Sequence, residues 1–276
     1  MSNLKIPIIL FLFFLFVAIS LAYFLDNIFY FFNFLYIGSF ASVGMLLFLN
    51  NRNYGRIIVQ WGVGLYMLVL LGFVFMENMQ LSGFFYYLFL GVFQAAVIHY
   101  LIAKIGGPFL FGRGWCGYAC WTGMVLDILP YKTPKTHERV NNLGLIRYLV
   151  FLTTFSLVGI LFYFNIPNLA YIMFLLFVAG NLIYYGVGIA LSYIFKDNRA
   201  FCKYFCPIVT FLKPASYFSI LRTKVNKDTC TICSNCINRC PMDVDILNEK
   251  RSRKNGTECI LCLECVKVCP TSSIIL

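Results

Sequence analysis

The sequence predicts an α-helical integral membrane protein of about six transmembrane helices, followed by a small cysteine-rich domain. Three observations predict it. The 276 residues are 61% hydrophobic and only 12% charged, where a soluble protein carries about 25% charge. Long uncharged runs recur through most of the chain. Two cysteine clusters then close it, CTICSNCINRCP from Cys230 and CILCLECVKVCP from Cys259.

A helix that crosses the hydrocarbon core needs about 20 apolar residues. Six stretches offer this: residues 6–25, 28–49, 57–76, 84–103, 145–164 and 169–195. The fifth is apolar from Tyr148 and reaches back to Leu145 if Arg147 snorkels. Membrane strands would alternate in polarity, with turns about every ten residues, and these runs do not. The first run is read as a span, because it is too long for a signal peptide and has no clean small-residue cleavage site.

Charge predicts the sidedness. Lys5, Arg52, Arg56, Lys104, Arg113, Lys132, Lys135, Arg139, Arg147, Lys196, Arg199 and Lys203 fall on one side. Asp26 and Glu77 fall on the other, without Lys or Arg. The positive-inside rule then puts both termini and the C-terminal domain in the cytoplasm of a bacterial-type inner membrane. The net charge of +11 lies mostly between apolar runs, where topology signals belong, so no nucleic-acid partner is expected. The expected division is a membrane domain over 1–221 and a second domain over 222–276.

The 12 cysteines all fall in segments expected on the reducing side, which favours metal-binding thiolates over disulfides. Cys230, Cys233, Cys236 and Cys240 follow the spacing C-x2-C-x2-C-x3-C-P, and Cys259, Cys262, Cys265 and Cys269 repeat it. This is the bacterial-type 2[4Fe-4S] ferredoxin run, whose fourth cysteine serves the other cluster. One [4Fe-4S] cluster is therefore expected on Cys230, Cys233, Cys236 and Cys269. The second is expected on Cys259, Cys262, Cys265 and Cys240. Two zinc sites are the alternative, but zinc gives no reason for cysteine triplets followed by Cys-Pro.

Four further cysteines stand in GRGWCGYACWTG (Cys116, Cys120) and FCKYFCP (Cys202, Cys206). Each C-x3-C pair turns both sulfurs to one side if helical. Together they offer four thiolates, enough for a third iron–sulfur cluster or another metal. Buried free thiols are the alternative. The apolar stretches Trp121–Tyr131 and Pro207–Leu221 are expected to lie as interfacial helices, forming a shallow platform under the membrane.

This combination of spans, paired C-x3-C motifs and a double ferredoxin run resembles the NapH-type polyferredoxin membrane proteins, with related architectures in NosR-type and CcoG-type proteins. Residue-level likeness is confined to GRGWCGYAC, FCKYFCP and the ferredoxin runs, and Trp121 stands where the group usually has proline. The resemblance implies electron transfer between the quinone pool and a redox partner protein.

Haem is not expected, because there is no C-x-x-C-H and only His99 lies in a span. NAD(P) is not expected either, because GGPFLFGRG lacks the strand–helix context of a dinucleotide fingerprint. His99 is the candidate quinone or proton-handling group, against a packing role between helices. It is expected near the cytoplasmic end of the fourth span. Glu77 would pass a proton outward or simply be solvated. Gln94 and Asn181 are read as packing residues. Phe29–Phe34 is read as lipid-facing or packing surface. Arg113 either favours thiolate at Cys116 or is a topology charge. The run Lys250–Lys254 is either a docking patch for an acidic partner or anionic lipid, or a solvated loop.

The expected function is a membrane-bound iron–sulfur relay between quinol and a redox partner, which would make the chain a quinol dehydrogenase (oxidoreductase) subunit. The alternatives are a metal-reducing assembly factor of the CcoG kind and a membrane anchor presenting a ferredoxin module.

Overall fold

The computed structural model describes residues 4–50, 54–93, 95–134 and 138–276. Arg52, Gln94 and Lys135 lie outside the described residues. Among the described residues, five helices are long and apolar enough to cross a membrane: Lys5–Phe24, Ile28–Leu49, Gly55–Val74, Leu143–Tyr163 and Leu169–Phe195. Each matches an expected span to within a few residues.

The expected fourth span, 84–103, is corrected. That region forms two pieces, Leu81–Phe89 and Ala96–Phe111. A nine-residue helix rises roughly 14 Å, about half a hydrocarbon core. Gly91, at φ 70, turns the chain after the first piece. The entry to that piece is held by Asn78, whose amide donates to the Met173 carbonyl at 2.6 Å and the Ser82 hydroxyl at 2.9 Å. Its side-chain oxygen accepts from the Gln80 N–H at 3.0 Å. Gly83 permits this approach, since a Cβ there would stand 1.7 Å from the Asn78 carbonyl oxygen. Phe85 meets Phe151 and Phe155 edge-on, and Phe89 contacts Phe155 and Phe162. The half-helix is thus bedded along Leu143–Tyr163.

Hydropathy could not show this break, because both pieces and their connector are apolar. Two π-helical stretches, Tyr66–Val74 and Tyr100–Gly106, interrupt the α-helical pattern of the bundle. Such departures recur at functional sites.

The expected shallow platform is also corrected, because both C-x3-C segments fold back into the bundle. Lys196, at φ 53, ends the last span, and the helix Ala200–Tyr204 returns along it. The Phe201 ring stands 5.3 Å from that of Tyr184, roughly 16 Å of helix back from Phe195 at 1.5 Å per residue. The other segment reaches a similar depth, where Trp121 Nε1 donates to Asn181 Oδ1 at 2.9 Å. Trp121, Met124 and Leu126 are buried, as are Val209 and Leu212. These residues are satisfied against other helices, so the body of each segment packs into the bundle, while Phe218, Ile220 and Leu221 at the end of the second stay exposed.

The C-terminal unit opens and closes on two short antiparallel strands, Lys224–Val225 and Ile274–Ile275, with Lys224 opposite Ile275. Between them, two cysteine loops each lead into a short helix, Asn235–Asn238 and Glu264–Lys267. The unit shares one hydrophobic core with the C-x3-C segments: Cys116, Phe201 and Cys202 join Cys240, Met242, Ile260 and Cys265.

Candidate functional site

The two cysteine loops of the C-terminal unit are conformational copies. Ile232, Ser234 and Asp243 have φ values of 54, 60 and 52. Leu261, Leu263 and Ser272 hold the equivalent places in the second run, at 49, 61 and 51. A positive φ costs about 1–2 kcal/mol at a non-glycine residue, and is a marked outlier for β-branched Ile232. Such backbone turns N–H groups inward into anion-binding concavities. The Val244 N–H donates to Cys240 Sγ at 3.4 Å, and its counterpart Ser273 N–H donates to Cys269 Sγ at 3.2 Å.

The fold brings the cysteines together across the two runs. Cys230, Cys233, Cys236 and Cys269 line one small cavity. Cys240, Cys259, Cys262 and Cys265 line another. Among the described residues, no three His, Cys, Asp or Glu side chains come close enough to share a single metal ion. Thiolates that bind different irons of one cluster stand further apart, so these two sets fit a cluster. Burial pushes the Cys240 and Cys262 thiols up to about 11, so bare sulfurs here are protonated and iron would displace the protons.

The four C-x3-C cysteines also converge. Cys116, Cys120 and Cys202 all lie near enough to Cys206 for their thiolates to interact, as Cys116 and Cys120 do to Cys202. Three buried cations face these sulfurs. Arg199 Nη1 approaches Cys202 Sγ at 3.8 Å, while Lys104 and Arg113 each act on Cys116 and Cys206. A buried anionic centre needs such compensation, so the donor set fits a cluster here too.

Arg113 is fully buried and pairs with Glu258 at 2.6 Å, so it is more than a topology charge. Glu258 is also met by Arg147 at 2.9 Å and Arg139 at 3.5 Å. Burial alone would raise the Glu258 pKa. The three guanidiniums outweigh it and hold the carboxyl at about 2. Asp127 behaves likewise: burial pushes it up, but Arg199 and Arg56 leave it below its ordinary value.

The joint is close as well as charged. The Arg113 N–H donates to the Cys259 carbonyl at 3.3 Å, and the Tyr118 hydroxyl to the Leu261 carbonyl at 3.0 Å. Lys203 bridges Asp243 and Asp197 at 2.5 and 2.7 Å. In the run Lys250–Lys254, two charges are committed to structure. Arg251 donates to the Tyr217 and Ser219 carbonyls, and buried Arg253 to Thr223.

A cavity of about 740 Å³ lies between the first three spans and Ala96–Phe111. Its wall is mainly aromatic and aliphatic, Trp115 included, with Asn27, Asn33, Glu77 and His99 as polar exceptions. Both π-helical stretches border it, through Met67 and Leu71 and through Leu101 and Ala103. His99 is buried and lies in the first turn of Ala96–Phe111. Its ring meets Trp115 at 5.3 Å because the fold-back carries Trp115 up to it. Glu77 is half-buried and accepts from the Tyr87 hydroxyl at 2.7 Å. Asn181 is a packing residue, holding Trp121 and the Phe177 carbonyl.

Two family models match the chain. One, described as a 4Fe-4S dicluster domain, covers residues 222–270. The other, described as a 4Fe-4S binding domain, covers 95–135 and 179–227, the two stretches that carry the C-x3-C motifs. The chain carries 4Fe-4S binding domains. It is a ferredoxin-like iron–sulfur protein, and electron transfer is the chemistry such domains supply. It is 31% identical over 156 residues to Uncharacterized protein MJ0750 of Methanocaldococcus jannaschii, covering 52% of this chain and 65% of that protein. It is 29% identical over 166 residues to Uncharacterized protein MJ0749 of the same organism, covering 55% and 60%. The match thus spans less than two thirds of either relative's length. No solved structure matches the chain.

Some residues of the 4Fe-4S sites were hidden in the sequence reading. Arg199 and Lys203 carry the pattern of topology charges, yet both are buried, Arg199 against Cys202 Sγ and Lys203 between Asp197 and Asp243. Phe29, Tyr30 and Phe34, read as lipid-facing or packing surface, line the large cavity. One signal was present. Arg113 precedes Cys116 as Arg199 precedes Cys202, with an aromatic residue just before each cysteine, Trp115 and Phe201.

Proposed function

We propose that this is a membrane-bound iron–sulfur protein that relays electrons between the quinone pool and a redox partner protein. Its membrane is of the bacterial inner type, with the dicluster unit on the cytoplasmic side. In this reading Cys116, Cys120, Cys202 and Cys206 hold a third cluster. Cys240, Cys259, Cys262 and Cys265 hold a second, and Cys230, Cys233, Cys236 and Cys269 the outermost. Bound clusters supply one-electron transfer.

The observation that carries the reading is the large apolar cavity whose wall includes Trp115, the residue bonded to Cys116. Apolar pockets with few polar groups are the ordinary form of small-molecule sites. This one is walled by membrane helices, where a lipid-soluble quinone has access. His99 and Glu77 both line it, which supports a role for each in handling quinol protons. From Cys116 the shared core and the contact between Arg113 and Cys259 lead to the dicluster unit. The second set follows directly. The outermost includes exposed Cys233, where a redox partner has access. A passive anchor would need no such buried joint, so the relay is favoured over it. The resemblance to NapH-type proteins implies the same role.

The test is anaerobic iron and sulfide analysis with EPR on wild type and the double variant Cys116→Ala/Cys202→Ala. Iron near twelve should fall to near eight, at about four per cluster, with two ferredoxin-like signals kept. A short-chain quinol should bleach the cluster absorbance of the wild type. Eight irons in both proteins would remove the third cluster, and intact clusters unbleached by any quinol would remove the quinone.

A further inference from the structure

Two buried nitrogens in the cavity wall, His99 Nε2 and Trp115 Nε1, have no hydrogen-bond partner among the described residues. Of the buried side-chain atoms left without a partner there, these two alone belong to residues lining the cavity. Native structures rarely leave such atoms unmatched, and each one asks for a ligand or a reason. The two rings touch, with centroids 5.3 Å apart and planes at 66°. They therefore address the same part of the cavity.

Their chemistry specifies what fits between them. An indole N–H can only donate, while a neutral imidazole nitrogen donates or accepts according to its tautomer. A hydroxyl oxygen does both. We propose that Trp115 and His99 clamp one ring oxygen of a quinol, the indole N–H donating to that oxygen and the hydroxyl donating to His99 Nε2. In the quinone form, the same oxygen is a carbonyl that accepts from the indole N–H and from the other imidazole tautomer. This rests on the quinone reading above and deepens it, because it fixes which end of the cavity holds the headgroup.

The rest of the cavity suits the rest of such a molecule. Phe14, Phe34 and Phe111 supply flat apolar walls, and Phe13 and Leu101 are also exposed on the outside of the bundle. A prenyl tail leaving past them enters lipid. The clamp places the ring beside Cys116 through the Trp115 main chain, and Lys104 lies over the indole at 5.2 Å, keeping that ring in a fixed pose.

The experiment uses the full chain in lipid nanodiscs, loaded with iron, and measures binding of a short-chain quinol and its quinone by equilibrium dialysis. Trp115→Phe and His99→Phe are each expected to weaken quinol binding about tenfold, equivalent to about 1.4 kcal/mol. Iron content and dithionite reduction should match the wild type, and the double variant should lose less than the product of the singles. In wild-type protein, methylating the hydroxyls of the same quinol removes the donor and should weaken binding similarly, a comparison that needs no variant to fold. Wild-type binding with unchanged affinity in both variants and for the methylated quinol overturns the clamp while leaving the quinone reading intact. A wild type that binds neither quinol nor quinone overturns both.

Discussion

Arg113 and Arg199 cross. Arg199 Nη1 donates to the carbonyl of Cys116 at 3.2 Å, and Arg113 Nη2 donates to the carbonyl of Cys202 at 3.5 Å. Each arginine precedes one C-x3-C motif by three residues and grips the first cysteine of the other. The pair therefore ties two chain segments, far apart in sequence, into one thiol site and leaves buried positive charge beside it.

That charge should tune the site. Adding an electron near a buried cation is easier than adding one in its absence, because burial leaves the charge little screened. Arg199→Gln is expected to lower the midpoint potential of the centre proposed on Cys116, Cys120, Cys202 and Cys206 by on the order of 60 mV, a tenfold change for one electron. Arg199→Lys should recover most of it. An EPR-monitored redox titration checks this. An unchanged midpoint at that centre, or an equal shift at the two outer centres, would count against a local electrostatic role.

Glu258→Gln removes the carboxylate that three arginines share. Both Arg113 and Glu258 are almost fully out of water, at 0% and 1% exposure, so losing one partner should cost about 3–5 kcal/mol. Denaturant unfolding of the detergent-solubilised protein reads the loss. A change below about 1 kcal/mol, the range of surface ion pairs, would show that the joint does not depend on this pairing.

The same carboxyl gives a pH signature. Its folded pKa of about 2 lies below the ordinary 4.5. Its stabilisation is therefore fully present above about pH 4.5 and is lost as pH falls toward 2. The stability gap between wild type and E258Q should be widest near neutrality and shrink between pH 4.5 and 2. Acid damage to clusters affects both proteins, so the difference isolates the carboxylate. A gap that stays constant over that window would contradict the assignment.

Gly117→Ala tests how closely the two units approach. A Cβ at this position would lie 2.4 Å from the Ile260 carbonyl oxygen, so one backbone must give way. The expected cost is about 1–3 kcal/mol, with faster proteolysis around residues 221–223 and iron retained in the C-terminal unit. Wild-type proteolysis rates would mean the joint has slack.

Gly83→Ala and Asn78→Ala probe the half-helix. Asn78→Ala deletes buried hydrogen bonds and should cost about 1–3 kcal/mol. Gly83→Ala should cost more, since its Cβ would overlap the Asn78 carbonyl at 1.7 Å and unseat Leu81–Phe89. Thermal unfolding in detergent ranks the two, and the reverse order would refute the packing argument.

Much was legible from the sequence. Helices of membrane length follow from apolar run length, because in lipid each backbone polar group must be satisfied within its own helix. The helix Leu169–Phe195 was expected with the ends it has. The repeated cysteine spacing was legible for a similar reason, since a cluster loop is short and local. Which fourth cysteine joins which triplet is a matter of the fold: Cys269 lines a cavity with Cys230, Cys233 and Cys236, and Cys240 one with Cys259, Cys262 and Cys265.

By itself, then, the sequence determined a helical, membrane-compatible chain carrying a repeated iron–sulfur motif, because both signals are written in local period and composition. Only the tertiary structure decided depth and partnership. The expected fourth span is two pieces because Asn78 finds its partner at Met173, far along the chain. The C-x3-C segments sit inside the bundle because both pack on the helix Leu169–Phe195: Asn181 receives the Trp121 indole from sixty residues further along the chain, and Tyr184 meets Phe201 of the segment that folds back after it. Arg199 became a buried site residue because Asp127 and the Cys116 carbonyl were waiting for it. Hydropathy weighs a residue by its chain neighbours, whereas a buried polar group is placed by whichever distant atom completes its hydrogen bonds.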